Sequence, residues 1–339
     1  MFRVVPLKPG PLAILVSISM LVLSACGLLT EDKLIVYSVG EVGSRDIVVA
    51  RSDSGDRRIV IAGPSDDFSP VWSPDHSRIA FLTNRDGNVE LYTGLMDGSS
   101  VTRVTNTGVD ESQPTWSPDG QRIAYVSPDA DGAPRVYWVS FTDLLPNQLI
   151  FESNNEVDPA WSPSGTWIAF ASLDENGKSE GLFLRNPDGV NRLQLSASPD
   201  RHPLWSPDSK KLVFTSTRDG DEEVYVLHVG ATGPEGQAVR ITNNPASDFS
   251  PTWSPDSKRV AFISDRNESR DIFTVSDKGE DIQPLTRNQV EELSLVWGPT
   301  GKLVFESRPS AKSELFITTT SGVQNRLSVG DVTASQPDW

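Results

Sequence analysis

Acidic residues recur at a fixed distance before a set of tryptophans, and their type and spacing suit the binding of cations. Five residues before six of the tryptophans lies an aspartate or a glutamate: Asp67, Glu111, Glu156, Asp200, Asp248 and Glu292. Carboxylate oxygens are the ligands that hard cations such as Ca²⁺ prefer, so a ring of these acids would bind a divalent cation or a cationic ligand. The alternative is that each acid accepts hydrogen bonds within its own repeat and has a structural role.

The other residue types offer few candidates for catalysis. The three histidines, His76, His202 and His228, occupy three different places in the repeat and do not form a metal-binding trio. There is no Gly-x-Ser-x-Gly motif around a nucleophilic serine. A carboxylate pair such as Asp200 and Asp248 would suit glycoside hydrolysis, but nothing distinguishes it from the other acids. We therefore expect a non-catalytic protein without a cofactor, with calcium at the acidic ring as the one candidate ion.

Tryptophans set the period of the chain. Six occur in nearly identical contexts and the seventh is the last residue: Trp72, Trp116, Trp161, Trp205, Trp253, Trp297 and Trp339. Successive spacings are 44, 45, 44, 48, 44 and 42 residues, which is typical of radial β-repeats. One aromatic residue per repeat fills the wedge between neighbouring units, which favours a structural role over ligand stacking. Trp167 lies outside the series, where other repeats carry Arg or Lys, and this suggests that it is exposed.

Each repeat contains four short apolar segments separated by turn residues. A Ser-Pro-Asp turn follows the tryptophan, because proline presets φ and Asp or Gly tolerates the turn conformation. The first repeat lacks its first strand, and residues 335–339 supply a first strand with nothing after it. We predict an all-β fold, a seven-bladed β-propeller of four-stranded antiparallel blades over residues 33–339. The ring closes by pairing the C-terminal strand with the N-terminal blade.

This architecture places the acids. Loops that enter the first strand of a blade share one face with the loops between strands two and three. The six acids are therefore expected to surround one mouth of the central channel. Arg85, Arg218 and Arg266 each follow a tryptophan by thirteen residues and are positioned to pair with some of these acids.

The N-terminal segment carries a targeting signal. Arg3 and Lys8 precede a short apolar stretch that ends in Leu23-Ser-Ala-Cys26-Gly27, which resembles the bacterial lipoprotein signal. That resemblance implies a signal peptide over residues 1–25, lipidation of Cys26 and a tether over residues 26–32. The alternative is an ordinary secretory signal, or an uncleaved anchor, with an incidental cysteine. The lipid would anchor the protein on the periplasmic or cell-surface side of a membrane, with the acidic mouth pointing away from it.

Net charge restricts the partners. The formal charge is −16 and no Lys- or Arg-rich run is present. A polyanion would be repelled by such a surface, so nucleic acid is not expected as a partner. We expect a monomer that binds an envelope protein or a polysaccharide or peptidoglycan ligand.

The repeat motif resembles a known family. Pro114-Thr-Trp-Ser-Pro-Asp-Gly120, and the Arg78-Ile-Ala-Phe81 pattern that follows such a turn, resemble the WD-like repeats of the TolB β-propeller family. The resemblance covers nearly all of the chain after Glu31, but TolB has six blades and a separate α/β domain before them. It implies an extracytoplasmic, non-catalytic binding or scaffold propeller. The alternative is a carbohydrate-active or metal-dependent propeller enzyme that uses the acidic mouth.

Overall fold

A computed structural model was obtained for the chain. It describes residues 34–53, 55–141, 146–148, 155–188, 192–320, 322, 324–327 and 333–339. The predicted signal peptide, Cys26 and the predicted tether lie outside these residues. Within the described part of the chain, no helix is long and apolar enough to cross a membrane.

The described residues form 29 β-strands in seven antiparallel sheets. The first four sheets in chain order contain β1 (Leu34–Val39), β2 (Asp46–Arg51) and β3 (Arg57–Ile61); β4 (Asp67–Trp72), β5 (Arg78–Thr83), β6 (Glu90–Leu95) and β7 (Thr102–Arg103); β8 (Ser112–Trp116), β9 (Arg122–Pro128), β10 (Pro134–Ser140) and β11 (Pro146–Gln148); and β12 (Asn155–Trp161), β13 (Ile168–Leu173), β14 (Ser179–Arg185) and β15 (Arg192–Gln194).

The remaining sheets follow the same order. They contain β16 (Asp200–Trp205), β17 (Lys211–Ser216), β18 (Glu223–Gly230), β19 (Gly233–Pro234) and β20 (Val239–Arg240); β21 (Asp248–Trp253), β22 (Arg259–Ser264), β23 (Asp271–Ser276) and β24 (Gln283–Pro284); and β25 (Glu291–Trp297), β26 (Lys302–Arg308), β27 (Glu314–Thr319) and β28 (Gln324–Arg326). The last strand, β29 (Ala334–Asp338), joins the first sheet. The sheets are numbered below as blades 1 to 7.

The ring closes as predicted. Strand β29 pairs antiparallel with β1, with Ala334 opposite Val39 and Asp338 opposite Val36. The same strand also holds blade 2, because the Trp72 amide donates to Asp338 Oδ2 at 2.7 Å. The seven-bladed propeller with its shared first blade is therefore confirmed.

The hydrophobic core consists of layers between neighbouring blades. Trp205 of blade 5 packs with Ala160 and Leu182 of blade 4, and corresponding clusters join the other neighbours. Within five blades, stacked aromatic rings link strands two and three, as Phe214 does with Tyr225 at 5.8 Å between centroids. Burying one large aromatic residue per blade removes on the order of 200 Å² of surface from water each time. This packing explains why the tryptophan spacing is so regular.

The Ser-Pro-Asp turns have a common hydrogen-bond pattern. In blade 2 the Ser73 hydroxyl donates to Asp75 Oδ1 at 2.7 Å and accepts from the Arg78 amide at 2.9 Å. The Ser77 amide donates to the same Asp75 oxygen. Serine and aspartate therefore cap the donors that the tight turn leaves outside the strand ladder.

Candidate functional site at the central channel

All six acids of the predicted ring are buried, each with at most 2 % of its surface exposed. Each lies at or next to the start of the first strand of its blade. The contacts described next are made with groups of the acid's own blade, of the loop that leads into it or, for Glu156, of the preceding blade. Whether these acids also bind a ligand or calcium stays a prediction. Among the described residues, no group of three or more His, Cys, Asp or Glu side chains is placed to hold a metal ion.

Three of the acids are aspartates with an arginine partner. The ion pairs, measured from Nη2 to the carboxylate oxygen, are Arg85–Asp67 at 2.9 Å, Arg218–Asp200 at 2.5 Å and Arg266–Asp248 at 3.0 Å. Each guanidinium also lies over an aromatic ring of strand three of its blade, namely Tyr92, Tyr225 or Phe273. The predicted pairing of these arginines is therefore confirmed, and it leaves these three aspartates with an internal counter-ion.

The other three acids are glutamates, and the equivalent loop position in their repeats is Asp129, Asp174 or Ser310 instead of arginine. Glu111 accepts from the Thr107 hydroxyl at 2.9 Å, and Glu292 accepts from the Asn288 amide at 3.1 Å. Glu156 accepts from the Val136 amide at 3.4 Å. One oxygen of each of these carboxyls has no hydrogen-bond partner among the described residues. Burial raises the pKa of Glu111, of Glu156 and of Glu292 to about 7.

The tryptophans of the repeat are all buried. In three of them the indole N–H donates to a carbonyl of the preceding blade, as Trp205 Nε1 does to the Ala160 oxygen at 3.1 Å. The expectation of an exposed Trp167 was wrong: it is 8 % exposed and packs in the layer between blades 4 and 5. Its neighbours Leu212 and Leu227 offer an apolar surface, so the site accepts an indole where other blades carry a cation.

The first strands contain a bulge that the sequence did not reveal. Three residues before the tryptophan the backbone adopts φ of 49–58° in six blades, at Ser69, Gln113, Asp158, His202, Ser250 and Gln336. The strand pairing shifts register at the same place in these strands. A bulged residue leaves its amide outside the ladder, so that amide needs another acceptor.

Side chains of the neighbouring blade provide those acceptors at three junctions. The Asp158 amide donates to Gln113 Oε1 at 2.8 Å, and the His202 amide donates to Asp158 Oδ2 at 3.2 Å. The Ser69 amide donates to Gln336 Oε1 at 2.9 Å. Residues at the same place of successive repeats thus link the blades around the channel.

Asp158 is the centre of the polar network along blades 3 to 5. Its Oδ1 accepts from Gln113 Nε2 at 2.9 Å, and its Oδ2 accepts from Arg201 Nε at 2.8 Å. Although burial opposes it, the Arg201 hydrogen bond and the nearby His202 hold the pKa of Asp158 below its usual range. His202 itself is exposed, with Nε2 3.9 Å from Asp158 Oδ2 and Nδ1 3.4 Å from Thr215 Oγ1.

A cavity of about 480 Å³ opens beside this network, on the first strands of blades 3 to 6. One wall is polar and consists of Gln113, Asp158 and His202, with Glu222 from the loop before β18. The other wall is apolar and is formed by Leu204, Phe249 and the proline that follows each bulged residue, namely Pro114, Pro159, Pro203 and Pro251. Its volume and mixed walls are those of a small binding site.

The sequence was compared with known protein families, with curated proteins and with solved structures. The family described as the TolB β-propeller domain matches residues 14–203 and 159–339. No curated protein sequence matches the chain significantly.

Several solved structures share the fold. TolB from Acinetobacter baumannii is 18 % identical with a TM-score of 0.60, over 91 % of this chain and 66 % of that one. A puromycin-hydrolysing peptidase from Mycobacterium tuberculosis is 14 % identical with a TM-score of 0.68, over 88 % and 53 %. An oligogalacturonate lyase from Vibrio parahaemolyticus is 12 % identical with a TM-score of 0.62, over 86 % and 85 %. The chain thus spans just under two thirds of the A. baumannii TolB chain and about half of the peptidase. At these identities the likeness concerns the fold alone.

Proposed function

Because the chain belongs to the TolB β-propeller domain family, we propose that it is a non-catalytic binding or scaffold propeller of the cell envelope. The cavity at the central channel carries this proposal. It is lined by four blades and combines a polar wall with an apolar one. Such a mixed surface on a rigid ring suits the recognition of an exposed segment of another molecule.

The absence of a catalytic role is proposed from how the polar groups are used. Asp158 accepts hydrogen bonds from Gln113, Arg201 and the His202 amide, so its carboxylate is fully engaged as a structural acceptor. The imidazole of His202 lies beyond hydrogen-bond distance of that carboxylate. A general base needs a free group aimed at the reacting proton, and this pair holds blades together instead.

The cellular location is proposed from the N-terminal sequence. A signal peptide over residues 1–25 and lipidation of Cys26 would place the propeller outside the cytoplasm, held on a membrane surface as a monomer. The partner is then an envelope protein or a polysaccharide or peptidoglycan ligand. The six residues 27–32, between Cys26 and the propeller, reach at most about 20 Å, so the channel face with the cavity would point away from the membrane.

Crosslinking in intact cells tests the binding role. A photo-activated amino acid at Ser250, which is exposed and lines the cavity, should capture a discrete partner. The matched control is the same amino acid at Lys278, an exposed residue in the turn between strands three and four on the other face. Equal capture from both positions, or none from Ser250, would count against the proposal.

Two further measurements separate this role from its alternatives. Metabolic labelling with a fatty acid should mark the wild-type protein and not the Cys26→Ala variant; labelling of both would exclude lipidation at this cysteine. Turnover of oligosaccharides by the purified protein, dependent on calcium, would instead favour the carbohydrate-active enzyme.

A further inference from the structure

We propose that the cavity beside Asp158 is a subsite for a lysine or arginine side chain that projects from an extended segment of a partner protein. This inference rests on the proposed function and specifies the chemistry of its ligand. The cavity juxtaposes an unpaired carboxylate with an apolar wall, which is the combination that a cation on an alkyl stem requires.

The charges around the cavity do not balance. Arg201 neutralises Asp158, and just outside the cavity Arg270 lies 3.5 Å from Glu291. Glu222 is half-buried at the rim, and its carboxylate has no ion-pair or hydrogen-bond partner among the described residues. The carboxylate of Glu222 is therefore an uncompensated negative charge in the lining of the cavity, which attracts a cation and repels an acidic ligand.

The position of Glu222 is fixed by its backbone. Its carbonyl accepts from the Asp248 amide at 2.7 Å, and the next residue begins β18. The loop belongs to blade 5, and this hydrogen bond attaches it to blade 6. A carboxylate on such an anchored loop binds a cation with little ordering of the backbone.

The apolar wall favours a ligand whose charge is carried on a long alkyl chain. Leu204 is 39 % exposed, and Phe249 also lines the cavity. Lysine and arginine carry three or four methylene groups below the charge and bury them on such surfaces. A bare amine would leave this wall in water, so the wall favours the long basic side chains.

The net charge of the chain also favours a cationic ligand. The chain has a formal charge of −16, so a basic segment is drawn to it and an acidic one is repelled. Binding should therefore weaken as salt screens these charges.

The test uses blocked, fluorescein-labelled dodecapeptides of Gly and Ser with one central residue, either Lys, Arg, norleucine or Glu. Anisotropy at 50 mM NaCl should rank Lys and Arg about fivefold tighter than norleucine, with Glu weakest. Glu222→Gln should remove the preference for Lys over norleucine, and Leu204→Ser should weaken Lys and norleucine alike. Glu280→Gln, which removes an exposed acid in the turn on the other face, should change nothing, and thermal unfolding checks that each variant is folded.

Several results would overturn the inference. These are binding of no peptide up to millimolar concentration, equal affinity for Lys and Glu peptides, or equal effects of the Glu222 and Glu280 substitutions. Tighter binding of a glucosamine tetramer than of the Lys peptide would also overturn it, because the ligand would then be an amino sugar and not a protein segment.

The subsite and the binding role can fail independently of each other. If Ser250 captures a partner in cells and Glu222→Gln leaves that capture unchanged, the subsite is wrong and the binding role stands. If the wild type captures nothing, the binding role fails whatever the peptides show.

Discussion

Gly298 and Trp339 are in such close contact that a Cβ atom at residue 298 would lie 2.1 Å from Cδ2 of the indole. Gly298 follows the tryptophan of blade 7, at a place where the five preceding repeats have serine. Trp339 belongs to the strand that closes the ring, and it is buried in the layer between blades 7 and 1. The last blade therefore requires glycine because the closing tryptophan occupies the space of a side chain.

Gly298→Ala should consequently destabilise the closed ring. The indole is held by its neighbours and cannot move aside freely, so the free energy of unfolding should fall by about 1–3 kcal/mol, the usual cost of overpacking. Urea unfolding followed by tryptophan fluorescence measures it. Gly108→Ala is the control, because a Cβ there meets no atom within 4 Å. Equal stabilities of the two variants would contradict the closure described here.

The buried ion pair of blade 5 gives a second prediction. Arg218→Met leaves Asp200, which is fully buried, without its cation, and should lower the free energy of unfolding by about 3 kcal/mol. The double variant Asp200→Asn with Arg218→Met should be more stable than the single one, because it removes the uncompensated charge. Arg270→Met breaks an exposed pair and should cost less than about 1 kcal/mol. A double variant no more stable than Arg218→Met would show that charge is not the cause.

The buried glutamates of blades 3, 4 and 7 predict a dependence of stability on pH. Burial raises the pKa of Glu156 to about 7, so between its unfolded value and pH 7 the folded protein binds more protons than the unfolded chain. The ionised carboxyl therefore destabilises the folded state increasingly as the pH rises through that range, by an amount on the order of 3 kcal/mol at pH 8. Glu156→Gln should therefore stabilise the protein at pH 8 and have little effect at pH 4.5.

Urea unfolding at the two pH values checks this, with Glu175→Gln, an exposed loop acid, as the control. A Glu156→Gln variant that loses as much stability between pH 4.5 and pH 8 as the wild type would contradict the assignment. Glu111 and Glu292 have the same raised pKa, and their variants should add to the effect because they lie in other blades.

The blade count, the closing strand and the three Arg–Asp pairs were predictable from the sequence because they depend on spacing within a repeat. The links around the channel were not, since Gln113 and Asp158 are 45 residues apart and occupy a place of the motif whose residue type varies between repeats. Their contact depends on a bulge, which no residue type marks: Ser, Gln, Asp and His all adopt it. Trp167 was misjudged for a related reason, because the surface that buries it belongs to the next blade.

The Ser-Pro-Asp turns carry the last prediction. The fourth residue of the turn after the tryptophan has φ > 0 in blades 2 to 7: it is His76 in blade 2, glycine in blades 3, 4 and 7, and Ser209 and Ser257 in blades 5 and 6, with φ of 61° and 60° for the two serines. A residue with a side chain is strained there by about 1 kcal/mol, and glycine is not. Ser209→Gly should raise the free energy of unfolding by up to that amount.

Ser257→Gly should give a smaller gain or a loss, although its backbone strain is the same. Its hydroxyl accepts from the Asp208 amide at 3.1 Å, a link from blade 5 to blade 6 that glycine removes. Thermal unfolding of the two single variants compares the relief of backbone strain with the loss of this hydrogen bond. If both variants gain equally, the hydroxyl contributes nothing to holding the blades together; if neither gains, the turn is not strained.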